Sequence, residues 1–316
     1  MRLIFMGYHN VGYYCLEALI DLCREYGDEI AAVVTHADDP GESIWFASVR
    51  DLAFNHYLPV YQPDNPNDPD FVRAMAKLQP DFLFSVYYRH MLKRPMLELP
   101  RLGALNLHGS LLPRYRGRCP HNWVLINGET ETGVTLHYMA PKADQGDIVA
   151  QRCVPIALDD TAATLLARLT AAGEDLMRET YPLLRHGQAP RMQQDHNDAS
   201  YYGGRRPADG LIDWARPAFE IYNLIRAVTH PYPGAFTYYR GKKLFIWRGQ
   251  PIKAAASAAH APAPPGRVLT GLPGHGLLVA TGDGHFLVQE AQWEGEPEFS
   301  GPILATWRHL VGERLG

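Results

Sequence analysis

Gly103-Ala104-Leu105-Asn106-Leu107-His108-Gly109-Ser110-Leu111-Leu112-Pro113 is the stretch that decides how the rest of this chain reads. Apolar residues alternate with Asn106 and His108, and then the chain turns. In a strand, residues two apart point to the same face, so carboxamide and imidazole project side by side while Leu105 and Leu107 pack on the other face. If the strand is parallel and central, its carboxyl end opens on the crevice where open α/β sheets hold ligands. An amide beside an imidazole suits chemistry at a carbonyl: the amide can bond a developing oxyanion, and the ring can move a proton near neutral pH. The same two residues could do no more than tie down the turn at Gly109-Ser110. The strand alone leaves both readings open.

Outward from that stretch, short apolar runs alternate with helical patterns. Strands are expected over 2–6, 30–35, 58–61, 81–86 and 104–108, and helices over 11–24, 44–55 and 70–78. That alternation is the mark of βαβ units and predicts an α/β fold, a Rossmann-like, doubly wound and mostly parallel sheet. Paired strands over 132–139 and 148–155 and a long Ala- and Leu-rich helix over 161–184 complete a first domain, 1–188. A polar stretch, 189–210, with Pro190, Gly203, Gly204 and Pro207, reads as a linker. In 211–316, a turn and helix over 212–228 precede short strands over 235–239, 244–247, 266–269, 276–280 and 286–289. These predict a small OB-like β-barrel. The low-complexity stretch 254–265 reads as a loop without chemistry.

Composition narrows the function. A chain of 316 residues with a net charge of −4 is not dominated by a nucleic-acid-binding surface. Four scattered cysteines without a Cys-x-x-Cys pair fit reduced thiols, and no apolar run is long enough to span a membrane. A cytoplasmic protein without membrane insertion is expected. Gly7-Tyr8-His9-Asn10-Val11-Gly12 lacks the middle glycine of a dinucleotide fingerprint, and the second strand ends in Thr35-His36 where an acidic ribose ligand belongs. The fourteen histidines form no spaced ligand set, so no metal is expected. Ser110 does not sit in a nucleophile elbow.

Three other features admit a structural and a chemical reading. Asp144, in Ala143-Asp144-Gln145-Gly146-Asp147, is either turn chemistry or a carboxylate that orients an imidazole. Arg114, Arg116 and Arg118 are either solvated loop arginines or a basic mouth for a carboxylate or phosphate, to which Arg205 and Arg226 could add. Tyr87-Tyr88-Arg89-His90-Met91-Leu92 follows a strand and either lines a flat pocket or packs as a buried loop.

Asn106-x-His108-Gly109-Ser110-Leu111-Leu112-Pro113, then Arg116-Gly117 and Asp144-x-Gly146-Asp147-Ile148, resembles the folate-dependent formyltransferases. Arg205-Arg206-Pro207, Ile212-Asp213-Trp214, Arg226-Ala227 and Pro231-Tyr232-Pro233-Gly234 extend the resemblance over nearly the whole chain. Within the family it is most similar to the formyltransferase domain of the bifunctional polymyxin-resistance enzyme, which acts on UDP-4-amino-4-deoxy-L-arabinose. Thr35-His36-x-Asp38-x-Pro40-Gly41-Glu42, Tyr87-Tyr88-Arg89-His90 and residues 122–137 carry that likeness. Where the tRNA-formylating members have a basic insertion, this chain reads Ala37-Asp38-Asp39-Pro40-Gly41-Glu42, which is acidic and would repel phosphates.

The resemblance implies 10-formyltetrahydrofolate as co-substrate, a nucleotide sugar as acceptor, no metal, and a separate decarboxylase for the preceding oxidative step. It implies that His108 is the acid/base group, Asn106 the oxyanion stabiliser and Asp144 the carboxylate that supports the histidine. Folate contacts fall on His90, Met91, Leu92, Arg118 and the run Ala140, Pro141, Lys142, Ala143 and Asp144, and nucleotide-sugar contacts on Arg205 and Arg226. The alternatives are another nucleotide amino sugar, methionyl-tRNA, or a folate-binding regulatory module without catalysis.

Overall fold

The structure, a computed structural model, describes residues 1–39, 41, 44–252 and 263–316. Pro40 and Glu42 of the family-like segment, and 254–262 of the low-complexity stretch, lie outside the described residues. The chain divides into two units. The first comprises Met1–Pro120, Glu131–Pro155 and Leu166–Gly203; the second comprises His121–Thr130, Ile156–Leu165 and Gly204–Gly316.

In chain order the elements up to residue 202 are β1 (Arg2–Gly7), α1 (His9–Tyr26), β2 (Glu29–Val34), α2 (Val49–Asn55), β3 (Val60–Tyr61), α3 (Pro69–Ala76), β4 (Phe82–Val86), α4 (Arg94–Leu97), β5 (Gly103–His108), β6 (Arg116–Gly117), α5 (Pro120–Ile126), β7 (Glu131–Tyr138), β8 (Ile148–Pro155), α6 (Ala162–Arg185) and β9 (Tyr201–Tyr202). Seven strands form one sheet in the order β3-β2-β1-β4-β5-β7-β8. It is parallel from β3 to β5, and β7 and β8 are antiparallel additions. This is the mixed, Rossmann-like sheet that the βαβ pattern predicts.

The strands read as continuous apolar runs because both faces are covered. Ile4, Met6, Ala32, Val34, Leu83 and Ala104 share a core cluster with Met75 and Met96. Leu3, Phe5, Phe84, Leu105 and Leu107, which alternate with them, are buried as well. Each large side chain so buried contributes about 1.5–3 kcal/mol.

Two boundaries differ from expectation for local reasons. The helix expected over 44–55 begins at Val49, because Ser48 accepts the Asp51 N–H and caps it. Residues 189–203, expected as part of a linker, belong to the first unit: β9 pairs with β6, and Met192 bridges Ile148.

The second unit contains α7 (Ala218–Val228), β10 (Ala235–Tyr239), β11 (Lys242–Ile252), β12 (Val268–Leu272), β13 (Gly276–Ala280), β14 (His285–Trp293), β15 (Glu298–Ser300) and α8 (Gly301–Leu304). Its strands make an antiparallel sheet in the order β10-β11-β14-β13-β12, with β15 paired to β14. Among the described residues no helix is long and apolar enough to cross a membrane.

Candidate active site

The antiparallel pairing of β5 with β7 builds the site. Its register sets Asn106 opposite His137 and His108 opposite Thr135. Four polar side chains thus share the end of an otherwise apolar pair of strands. Thr135 is structural: its hydroxyl donates to the Ser110 carbonyl and accepts from the Leu112 N–H, which fixes the turn after β5. Ser110 is buried and donates to the Arg114 carbonyl, so it too serves the turn.

His108 is 6 % exposed. Its Nε2–H donates to the Tyr115 carbonyl at 2.7 Å, and its Nδ1 lies 3.6 Å from Asp144 Oδ1. Each ring nitrogen therefore faces an oxygen. His137 sits on the other side of the same carboxylate, with Nε2 at 3.5 Å from Asp144 Oδ1 and 3.2 Å from Asn106 Nδ2. Its Nδ1–H donates to the Tyr138 carbonyl at 2.8 Å, so Nε2 accepts from the Asn106 amide when the ring is neutral and donates to Asp144 when it is protonated. The bond from Asn106 orients the carboxamide with its nitrogen toward the site and leaves it a second N–H.

Asp144 reaches this place through a tight turn. It adopts a left-handed backbone with φ +55°, uncommon for a residue other than glycine. Two residues on, the Tyr138 carbonyl backs onto Gly146 so closely that no Cβ would fit. Gln194 donates to the carbonyls of Asp144 and Gly146, and the Gly117 N–H donates to Asp144 Oδ2 at 2.8 Å. Gly117 can offer that N–H because it lies against the Tyr202 carbonyl at φ +101°. Burial alone would push the Asp144 carboxyl up. The His108 and His137 rings and the Gly117 N–H overcome this and hold it well below the usual carboxylate range.

Of the arginines, Arg116 does not serve as a basic mouth. It is 1 % exposed, and its guanidinium donates to Gln194 Oε1, to the Tyr201 hydroxyl and to His196 Nδ1. It holds the strut that holds Asp144. Arg118 is exposed and has no ion pair among the described residues. Arg226, expected at the nucleotide sugar, is 5 % exposed and donates to Asn223 Oδ1 and to the carbonyls of Ala157 and Asp160. A guanidinium so engaged closes a helix-to-loop junction inside the second unit and is not offered to a ligand. Arg205 is half-buried, lies 4.8 Å from the centre of the Trp123 ring and donates to the Asp209 carbonyl.

The segment expected to contact folate is divided. His90 is exposed and Met91 is 58 % exposed, whereas the Leu92 side chain belongs to the core cluster. What Leu92 offers a ligand is backbone. Asn67 pins the segment, donating to the Met91 carbonyl and accepting from the Lys93 N–H. Ala140 and Ala143 are half-buried and Pro141 and Lys142 exposed, on the turn that carries Asp144. His137 is the site residue that sequence reading missed. Its signal is the pair Thr135 and His137, polar at alternate positions of an apolar strand. Among the described residues no cluster of His, Cys, Asp or Glu could hold a metal ion.

Three solved structures share the architecture. An N-formyltransferase from Helicobacter canadensis, in complex with folinic acid and dTDP-3-aminofucose, is 21 % identical with a TM-score of 0.66, over 91 % of this chain and 98 % of its own. WlaRD, a sugar 3N-formyl transferase solved in the presence of dTDP and 5-N-formyl-THF, is 20 % identical with a TM-score of 0.66, over 94 % and 99 %. HypX from Aquifex aeolicus, in complex with tetrahydrofolic acid, is 17 % identical with a TM-score of 0.62, over 97 % of this chain and 47 % of its own. At these identities the likeness is one of fold. Residues 1–181 match the formyl transferase family and residues 205–306 its C-terminal domain, and the chain belongs to that family.

Proposed function

We propose that this protein moves a formyl group from 10-formyltetrahydrofolate to the amine of a nucleotide-activated amino sugar, specifically the 4-amine of UDP-4-amino-4-deoxy-L-arabinose. The observation that carries the reading is the pair of imidazoles, His108 and His137, on the Asp144 carboxylate, with Asn106 bonded to His137, at the end of β5. A protein that only binds folate has no use for an oriented amide donor beside a histidine and carboxylate pair.

The co-substrate supplies a formyl carbon activated on N10; the acceptor amine gains the formyl group as the bond to N10 breaks and N10 takes a proton. Asn106 gives the N–H not used by His137 to the oxygen on which negative charge grows. His108 accepts the proton that the amine sheds on Nδ1, the nitrogen not committed to the Tyr115 carbonyl, and returns one to the departing nitrogen. Asp144 orients the His108 ring and stabilises it when charged, the carboxylate's role in acid/base pairs of this kind. Its own depressed pKa suits the role, since it stays ionised while His108 changes state.

The residues present fit a folate. Exposed His90 and Met91, the Leu92 backbone, Arg118 and the open turn from Ala140 to Asp144 would hold it. Arg118, free of ion pairs among the described residues, suits its glutamate carboxylates. Arg205 remains the candidate for the nucleotide sugar.

Purified protein incubated with 10-formyltetrahydrofolate should release tetrahydrofolate when UDP-4-amino-4-deoxy-L-arabinose is added and not when methionyl-tRNA is added. Formylation of the tRNA, or folate binding with no turnover on any amine, would overturn the reading.

A further inference from the structure

The carboxylate at the centre of the site is held from a distance, by a segment whose composition reads as a linker. Gln194 lies fifty residues beyond Asp144 and is buried. Its amide uses every bonding position it has. Oε1 accepts from Arg116 Nε at 3.1 Å and Nη2 at 2.5 Å, and Nε2 donates to the Asp144 and Gly146 carbonyls at 2.9 and 2.6 Å. A guanidinium only donates, so Arg116 fixes which way the amide faces. Among the described residues no carboxylate pairs with that buried guanidinium; its further acceptors are the Tyr201 hydroxyl and His196 Nδ1. Burying a charge without a counter-ion is costly. What it supplies is geometric: a planar fork that sets several acceptors at fixed angles.

The same segment reaches the other half of the acid/base pair. Ser200 Oγ accepts the Tyr115 N–H at 2.8 Å, and the Tyr202 ring stacks on that of Tyr115 with centroids 4.8 Å apart. The Tyr115 carbonyl is the one to which His108 Nε2–H donates. The Arg116 N–H goes to the Ser200 carbonyl, and the next N–H, that of Gly117, goes to Asp144 Oδ2. Tyr201 closes the frame. Its hydroxyl accepts from Arg116 Nη1 and from Gln145 Nε2, on the turn that carries Asp144.

We propose that residues 194–202 form a strap that sets the spacing of His108 and Asp144, with Gln194 as its positioning residue. The inference rests on the reading above that this pair moves the protons of formyl transfer. Asp144 sits at φ +55°, a backbone conformation that costs free energy and persists only where the surroundings impose it. The two N–H groups of Gln194, on the carbonyls of Asp144 and Gly146, impose it. Without them the turn relaxes and the carboxylate moves off the His108 ring. A displacement of about 1 Å is enough to slow a reaction about a hundredfold.

Gln194→Met removes the amide at nearly constant size and should lower kcat by about ten- to a hundredfold. Gln194→Glu keeps an acceptor for Arg116 but loses both donors. It should lower kcat likewise, and it covers the case in which Gln194→Met does not fold. A double-mutant cycle separates positioning from general support. In an Asp144→Asn background either substitution should change kcat by less than about twofold, because the carboxylate that Gln194 places is already gone; losses that multiply in full would overturn the proposal. Magnetic resonance of protein carrying isotope-labelled histidine gives a readout that needs no turnover. Both Gln194 variants should move the ring resonances of His108 and His137 and leave those of His230 and His285 in place. Unmoved His108 and His137 resonances would overturn the strap even if the wild type formylates a nucleotide sugar. Moved resonances in a protein that formylates no amine would uphold the strap and remove the functional reading instead.

Discussion

Each end of the parallel sheet holds a buried carboxylate, and the two differ in what surrounds them. At the amino end, Asp28 is 1 % exposed at its side chain and accepts from the chain's own N-terminus, from Arg185 Nε and from the Tyr181 hydroxyl. Burial would raise its pKa, but those donors lower it below the usual value. Nearby Asp81 is held the same way by the Arg2 N–H and Arg101. At the carboxyl end, Asp144 has one backbone donor and two imidazoles, and no arginine or lysine pairs with it among the described residues. A carboxylate anchored by an arginine is a rivet. One matched to groups that gain and lose protons can take part in chemistry. Arg116, which precedes the Gly117 that donates to Asp144, spends its charge on Gln194.

The widest separation between the two ends should come from isosteric substitution. Asp144→Asn is expected to lower kcat by at least about a hundredfold while leaving the unfolding midpoint within a few degrees of wild type, as removal of a preorganised electrostatic group does. Kinetics with parallel thermal denaturation checks both halves. Asp28→Asn should behave in reverse. Breaking a buried ion pair on one side costs about 3–5 kcal/mol, so urea denaturation should show a large loss, with kcat of the folded protein unaltered. Equal effects of the two substitutions on kcat would erase the distinction.

Acid separates the ends further. The Asp28 carboxyl is depressed, so its stabilisation is complete above the ordinary carboxylate pKa and is lost only as pH falls through its lower folded value. His36, near the carboxyl end, acts in the same direction but at higher pH. Its unfolded form takes a proton near pH 6.5 and its folded form only at about 4, so stability falls as pH drops across that window. Chemical denaturation at pH 7 and pH 4.5 should show this slope, reduced in His36→Gln; an unchanged slope would mean that the ring is not held neutral. The smallest effect expected is that of His137→Ala. Losing the acceptor that orients Asn106 should cost about 1.5 kcal/mol, roughly tenfold in kcat, with KM for folate little changed.

Much of this was readable in the chain, and what was not has definite physical causes. The sheet is legible because strands covered on both faces must be apolar throughout, as in 2–6 and 81–86. Asn106 and His108 are legible because side chains two apart in a strand share a face. His137 was equally available, two residues after Thr135, but its meaning depends on an antiparallel register that only the folded sheet provides. Asp144 reaches His108 through a left-handed turn braced by Gln194, fifty residues further on, and no local pattern announces that. Arg226 looks available in sequence because its partners are backbone carbonyls of Ala157 and Asp160, which sequence does not advertise as acceptors. The apolar pattern extends α2 back to Ile44, but the Ser48 cap starts the helix at Val49.

The central claim is that the carboxyl-end cluster performs formyl transfer itself, and single-turnover kinetics with saturating 10-formyltetrahydrofolate and UDP-4-amino-4-deoxy-L-arabinose addresses it most directly. Asn106→Ala and His108→Ala should each slow the chemical step by about a hundred- to a thousandfold with folate affinity nearly intact. A chemical step within a few-fold of wild type in either variant would contradict the account.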